Sequence, residues 1–110
     1  MITCRSPQEI AHIRVSAQLA AATLQHITPM LQPGVTTFEL DRAAEAYIRK
    51  HRGLPAFKGY RGFPATLCTS INAEVVHGIP SKKRRLAEGD IIGIDCGAIV
   101  DGYYGDHAIT

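Results

Sequence analysis

Two aspartates offer the clearest chemistry in this chain. Asp95 sits inside the apolar run Ile91-Ile92-Gly93-Ile94-Asp95-Cys96-Gly97, where an unpaired charge is costly. Asp106 follows eleven residues later, at the end of Gly102-Tyr103-Tyr104-Gly105-Asp106. If Asp101-Gly102 form a two-residue hairpin turn, Val100 faces Tyr103, Gly97 faces Asp106 and Asp95 faces Ala108. Both carboxylates then project from one face, diagonally across the strand pair. A turn one residue earlier sets them directly opposite, and a three-residue loop sends them to opposite faces. Like charges held close are unfavourable unless a cation lies between them, so a divalent metal, or a metal pair bridged by carboxylates, resolves the conflict. In the plainer alternative Asp95 caps a strand end and Asp106 is a solvated turn residue. Two carboxylates are an incomplete site in either case.

His77 closes the apolar stretch Glu74-Val75-Val76-His77, ahead of Gly78-Ile79-Pro80. It is either a satisfied structural histidine, or a general acid/base or hydrogen-bond donor to a substrate carbonyl. His107 adjoins Asp106, but strand alternation turns it to the other face. Phe57, Tyr60 and Phe63 recur at steps of three, with Cys68 not far beyond. They either line an apolar pocket or cover the core. Lys82-Lys83-Arg84-Arg85 reads first as a solvated loop and second as a docking patch for an anionic partner.

The elements that must position these residues are legible. Ser6-Pro7-Gln8-Glu9 is a helix start, with a capping serine, a proline suited to the first turn and a glutamate that returns a bond to the cap. The stripe Ile10, Ile13, Ala17, Ala20, Leu24, Ile27 and Leu31 predicts an amphipathic helix over 6–31, stopped by Pro33-Gly34. Thr36-x-x-Glu39 opens a second helix that runs to about His51, with Glu45 and Arg49 paired four apart on its outside. Beyond Pro55, residues 57–64 read as a loop with projecting rings. Strands are predicted at 65–71, near 74–77, at 91–97 and at 103–110, with 78–90 a polar connection. Two helices followed by a strand-rich half make the fold class α+β or mixed α/β, with residues 1–110 as one domain. The chain stops inside a strand with no closing element, which reads as the front part of something larger.

Composition sets the bounds. The 110 residues are 45% apolar and 20% charged, with a net charge of +2, too near balance for wholesale nucleic-acid binding. No apolar run reaches the ~18–20 residues of a membrane span, and the first residues lack the apolar stretch of a signal peptide. Cys4, Cys68 and Cys96 are odd in number and scattered, so they read as reduced thiols of a cytosolic protein rather than a disulfide framework or a CxxC metal site.

Taken together these residues resemble the N-terminal half of a methionine aminopeptidase of the bacterial, type I kind, a peptidase of family M24. The matching stretches are Gly59-Tyr60 to Pro64, Cys68-Thr69-Ser70-Ile71-Asn72, Glu74 to Pro80, Gly89-Asp90-Ile91-Ile92-Gly93-Ile94-Asp95 and Asp101 to Asp106. The resemblance covers nearly the whole chain. It implies the pita-bread fold, a pseudo-two-fold pair of halves with metals between them, of which this chain supplies two helices and an antiparallel hairpin. By position it implies that Asp95 is a bidentate ligand and that Asp106 bridges two divalent ions of the Co, Mn, Fe, Zn or Ni class. His77 corresponds to a histidine that contacts the scissile peptide. Phe57, Tyr60, Phe63 and Cys68 match positions around the pocket for the methionine side chain.

The implied reaction is metal-dependent hydrolysis of the first peptide bond of nascent proteins, in the cytoplasm, by a monomeric enzyme. Its partners are peptides with N-terminal methionine and, for the basic loop, the ribosome; neither a membrane nor specific DNA is implied. The family's remaining ligands, a His and two Glu, and a second catalytic histidine have no counterpart among these residues. The chain alone is therefore expected to be inactive and of marginal stability or self-associating. A non-catalytic pita-bread module that binds peptide or RNA, and a proline-specific peptidase of the same fold, are the competing readings. The intact Asp95, Asp106 and His77 favour an enzyme, and the Glu74–Pro80 stretch favours methionine removal.

Overall fold

The computed structural model describes residues 6–59, 63–72 and 78–110. Helix α1 spans Pro7–Ile27 and α2 spans Thr37–Lys50, each opened by the reciprocal capping box expected, Ser6 with Glu9 and Thr36 with Glu39. The first helix is shorter than its apolar stripe predicts. Pro29 lacks an N–H and crowds the residue before it, so the α-helix ends at Ile27 and a single 3-10 turn, Thr28–Met30, follows.

Four strands form one antiparallel sheet: β1 (Leu54–Pro55), β2 (Leu67–Ile71), β3 (Ile92–Val100) and β4 (Tyr103–Ile109). The nine-residue β3 is the spine. Its first half pairs with β2, its end pairs with β1, and β4 folds back along its other edge. The two-residue β1 is not among the expected strands, since a strand that short carries no periodicity of its own. The strand expected near 74–77 lies outside the described residues.

The helices cover one face of the sheet. Ile92, Ile94, Cys96 and Ala98 alternate inward from β3 and pack with Leu67 and Ile71 of β2 against Ala20, Leu24 and Ile27 of α1 and Leu40, Ala44 and Ile48 of α2. The inward face of α1 is therefore rotated from the expected stripe: Ser16 and Thr23 are buried while Ile10 is exposed. Close approach explains this. A Cβ at Gly105 would stand 2.6 Å from the Ser16 carbonyl carbon and 2.7 Å from Ala17 Cα, so small residues of α1 lie directly on β4. Ser16 then joins helix to hairpin: its hydroxyl donates to Tyr103 O at 2.7 Å and accepts from Val100 N at 3.2 Å.

A candidate metal and substrate face

The other face of the sheet carries the candidate site, and the hairpin turn decides what lies on it. Asp101 and Gly102 take φ of +52° and +83°, the left-handed pair of a two-residue primed turn. The resulting register pairs Val100 with Tyr103, Gly97 with Asp106 and Asp95 with Ala108. Residues directly opposite share a face, so the open face is ruled in rows. Leu54, Ile99 and Tyr104 form one row, Gly97 and Asp106 the next, and Cys68, Asp95 and Ala108 the third. Asp95 and Asp106 thus stand on the same side as diagonal neighbours, a relation with backbone separations of about 7–8 Å. Both are exposed. His107 pairs with Cys96 on the helix face and so points away from them, as alternation requires.

Of the expected pocket residues, the structure brings Phe57 and Cys68 to this face. The Phe57 ring lies over Gly97: a Cβ there would meet Phe57 Cε1 at 3.0 Å, so a side chain at this position would press on the ring. Cys68 is half-buried directly opposite Asp95. Burial first, then the negative charges of Asp95 and Asp41, push its thiol above the usual range. Cys96, on the core face, is pushed up to about 12, mainly by burial, and is an inert core thiol. Phe63 is half-buried, and its carbonyl accepts a hydrogen bond from Gly59 N at 2.7 Å. Tyr60 and His77 lie outside the described residues.

One supporting residue escaped the sequence reading. Asp41 of α2 is buried, and its Oδ1 accepts from both Thr66 N and Leu67 N at 2.8 Å. It thereby fixes the start of β2, one residue before Cys68. Burial raises its pKa above the ordinary carboxylate value, against the two backbone bonds that lower it. Its neighbour Glu45 shows the opposite balance, held below the ordinary value chiefly by its bond to Lys58 at 2.7 Å. The available signal was helical position, since Asp41 follows Leu40 and precedes Ala44 by three, on the flank of the buried stripe.

Two carboxylates on one face suit a divalent cation in donor type and direction. Among the described residues, no group of three or more His, Cys, Asp or Glu side chains is placed to hold a metal ion. Asp95 and Asp106 therefore fit as part of a ligand set.

The sequence matches metallopeptidase family M24 over residues 11–110. The chain belongs to that family. It is 54% identical over 110 residues to the methionine aminopeptidase of Clostridium acetobutylicum, covering 100% of this chain and 44% of that protein. The crystal structure of methionine aminopeptidase from Rickettsia prowazekii superposes with a TM-score of 0.93 at 42% identity, over 98% of this chain and 43% of that one. The Thermotoga maritima enzyme gives 0.95 at 38% identity, over 99% and 44%. The fold, mixed helix and antiparallel sheet with two helices, is that of these pita-bread proteins, and the chain spans less than half the length of the relatives it matches.

Proposed function

We propose that this M24 chain carries the paired-aspartate part of a methionyl aminopeptidase, a metalloexopeptidase that removes the N-terminal methionine from nascent proteins in the cytoplasm. The observation that carries this reading is the register that sets Asp95 and Asp106 on one open face beside Phe57 and Cys68. The methionine aminopeptidases matched along the whole chain support it.

In this proposal Asp95 and Asp106 hold the metal through carboxylate oxygens, two divalent ions in the complete site. The bound metal supplies water activation and polarisation of the first peptide carbonyl. The chain's own side chains do the rest. Phe57 covers Gly97 and keeps water from that flank of the carboxylates. Phe57, Tyr60, Phe63 and Cys68 enclose the methionine side chain, whose thioether packs well against aromatic rings and sulfur. His77 contacts the scissile peptide and orients it. Residues 1–110 act as one M24-type unit, and two carboxylates alone do not complete the reaction.

The test has two parts. Millimolar Mn²⁺ or Co²⁺ should raise the melting temperature of the 110-residue chain, and Asp106→Asn should remove the increment. The full-length protein should release methionine from Met-Ala-Ser in a metal-dependent way, lose that activity in Asp106→Asn, and leave Xaa-Pro peptides intact. Full activity in Asp106→Asn, or a preference for Xaa-Pro, refutes the assignment. Cleavage by the 110 residues alone refutes the view that they are insufficient.

A further inference from the structure

We propose that Glu45 is a positioning residue for the methionine pocket, because one of its oxygens joins the two chain segments that present Phe57 and Cys68. The role rests on the aminopeptidase reading; the bonds that define it do not. Glu45 Oε1 accepts from Lys58 Nζ at 2.7 Å and from Thr66 Oγ1 at 3.2 Å. Lys58 follows Phe57 directly, and Thr66 lies two residues before Cys68. Arg49, the partner four positions along the helix, uses the other oxygen, donating from Nε to Oε2 at 3.0 Å. The Lys58 bond, above all, holds Glu45 below its ordinary pKa, so the ionised group is an acceptor only.

Each segment has an anchor of its own, and the two anchors are unrelated. Ala56 N donates to Gly97 O at 3.0 Å, which brings the Phe57 ring over Gly97 of β3. Thr66 N and Leu67 N donate to Asp41 Oδ1, which starts β2 and sets Cys68 opposite Asp95. Gly97 and Asp95 are two residues apart on β3, a rise of about 6–7 Å, so ring and thiol are near neighbours on the open face. Among the described residues, Glu45 is the side chain hydrogen-bonded to both segments.

Global stability gives this arrangement little to do. The Lys58 side chain is 44% exposed, and ion pairs of that kind add little to folding. Position is another matter. Thr66 is fully buried, and its hydroxyl finds an acceptor in Glu45, whose own side chain is only 19% exposed. Alanine at 45 removes that acceptor and releases Lys58 to water, so residues 58–66 lose the tie that draws both ends to one point of α2. The gap between Phe57 and Cys68 then widens. Asp95 and Asp106, fixed by the register of β3 with β4, stay where they are.

Two readouts on the full-length protein test this. The first is iodoacetamide labelling resolved by peptide, in which the fully buried Cys96 reports global opening and the half-buried Cys68 reports the pocket. Glu45→Ala should label Cys68 about 3–10-fold faster and leave Cys96 unchanged, as expected for one exposed pair and one hydroxyl bond lost. The second is hydrolysis of Met-Ala-Ser, where Glu45→Ala should raise KM about 3–10-fold and hold kcat within about two-fold, the mark of lost binding rather than lost chemistry. Lys58→Ala should give part of each effect and add nothing to Glu45→Ala. Arg49→Ala, which removes only the Oε2 bond, should match the wild type in both. Unchanged Cys68 labelling or an unchanged KM in Glu45→Ala overturns the proposal. So does equal acceleration at Cys96, an additive Lys58→Ala, or an Arg49→Ala that behaves like Glu45→Ala. A wild type that leaves Met-Ala-Ser intact refutes the aminopeptidase reading and the pocket with it, while Cys68 labelling still decides whether Glu45 ties the two segments.

Discussion

Replacing Asp41 by alanine should cost this protein far more than its position on a helix suggests. One carboxylate oxygen satisfies two buried backbone donors, Thr66 N and Leu67 N, each at 2.8 Å. Alanine leaves both without a partner, and each unsatisfied buried donor costs about 1–3 kcal/mol, or about 2–6 kcal/mol together. Against a total stability of about 5–15 kcal/mol that is a large share, equivalent to at least ~10 °C in melting temperature. Asparagine keeps an acceptor oxygen in the same place and should avoid most of the loss.

The wild type and Asp41→Asn also separate by pH. Burial raises the folded pKa of Asp41 above its unfolded value, so the folded state binds the proton more tightly. The Asp41 contribution is then most favourable below the ordinary carboxylate pKa, and it declines as pH rises from there through the raised folded value. Asp41→Asn does not titrate, so the stability of the wild type relative to it should be greater near pH 4 than near pH 7. Urea melts of the three proteins at the two pH values check both claims. An Asp41→Ala loss within the ~0.5 kcal/mol of an ordinary surface change would refute the argument, as would an Asp41→Asn that falls as far as alanine.

The helix–hairpin joint should respond similarly. Ser16→Ala removes the hydroxyl that bonds Tyr103 O and Val100 N, both inside the structure, and should cost about 1–3 kcal/mol in denaturant melts, with faster amide exchange at Val100. The row Leu54, Ile99 and Tyr104 presents an apolar band on the open face, with Leu54 52% and Tyr104 61% exposed. Sedimentation should therefore show concentration-dependent association of the isolated chain, and Leu54→Lys with Tyr104→Lys should weaken it. A monomer at all concentrations would count against that reading of the face. Glu45 is held below its ordinary pKa first by its bond to Lys58, and the stability this adds should be present above the ordinary value and lost as pH falls through the lowered one. Lys58→Ala should flatten that part of the acid limb by a few tenths of a kcal/mol, as expected of an exposed pair.

The elements most visible in the sequence were those built on local rules. Both capping boxes, the Glu45–Arg49 pair and the Asp101-Gly102 turn depend on residues a few positions apart, and each formed as the spacing requires. The carboxylate face was legible for the same reason, since side-chain direction along a hairpin follows from one turn and a period of two. What the sequence concealed was long-range. The inward side of α1 is set by how closely Gly105 lets the helix approach, which overrides the alignment of Ile10 and Ile13 with the later apolar residues. Asp41 looks like a polar helix residue until Thr66 and Leu67 arrive from 25 and 26 positions away. Phe57 became part of the face only through Gly97, a contact between segments that share no local pattern.

The register that puts Asp106 beside Asp95 is defended at two separate places, and they should fail differently. At the turn, Asp101 and Gly102 both need positive φ, and alanine at 102 adds about 1–2 kcal/mol of backbone strain. A slip of one residue would relieve that strain, but it would turn β4 over and bring Tyr104 or Asp106 to where Gly105 now meets α1. No side chain fits there, because even a Cβ would lie 2.6 Å from the Ser16 carbonyl carbon. Gly102→Ala should therefore lose stability and keep its register, retaining the rise in melting temperature with Mn²⁺ or Co²⁺. Gly105→Ala should instead lift α1 from the hairpin, costing about 1–3 kcal/mol or more, with broadened amide signals along β4 and α1. If Gly102→Ala folded but lost its response to metal, the turn alone would be setting the face, and the packing of Gly105 against Ser16 and Ala17 would be a consequence of the register rather than one of its causes.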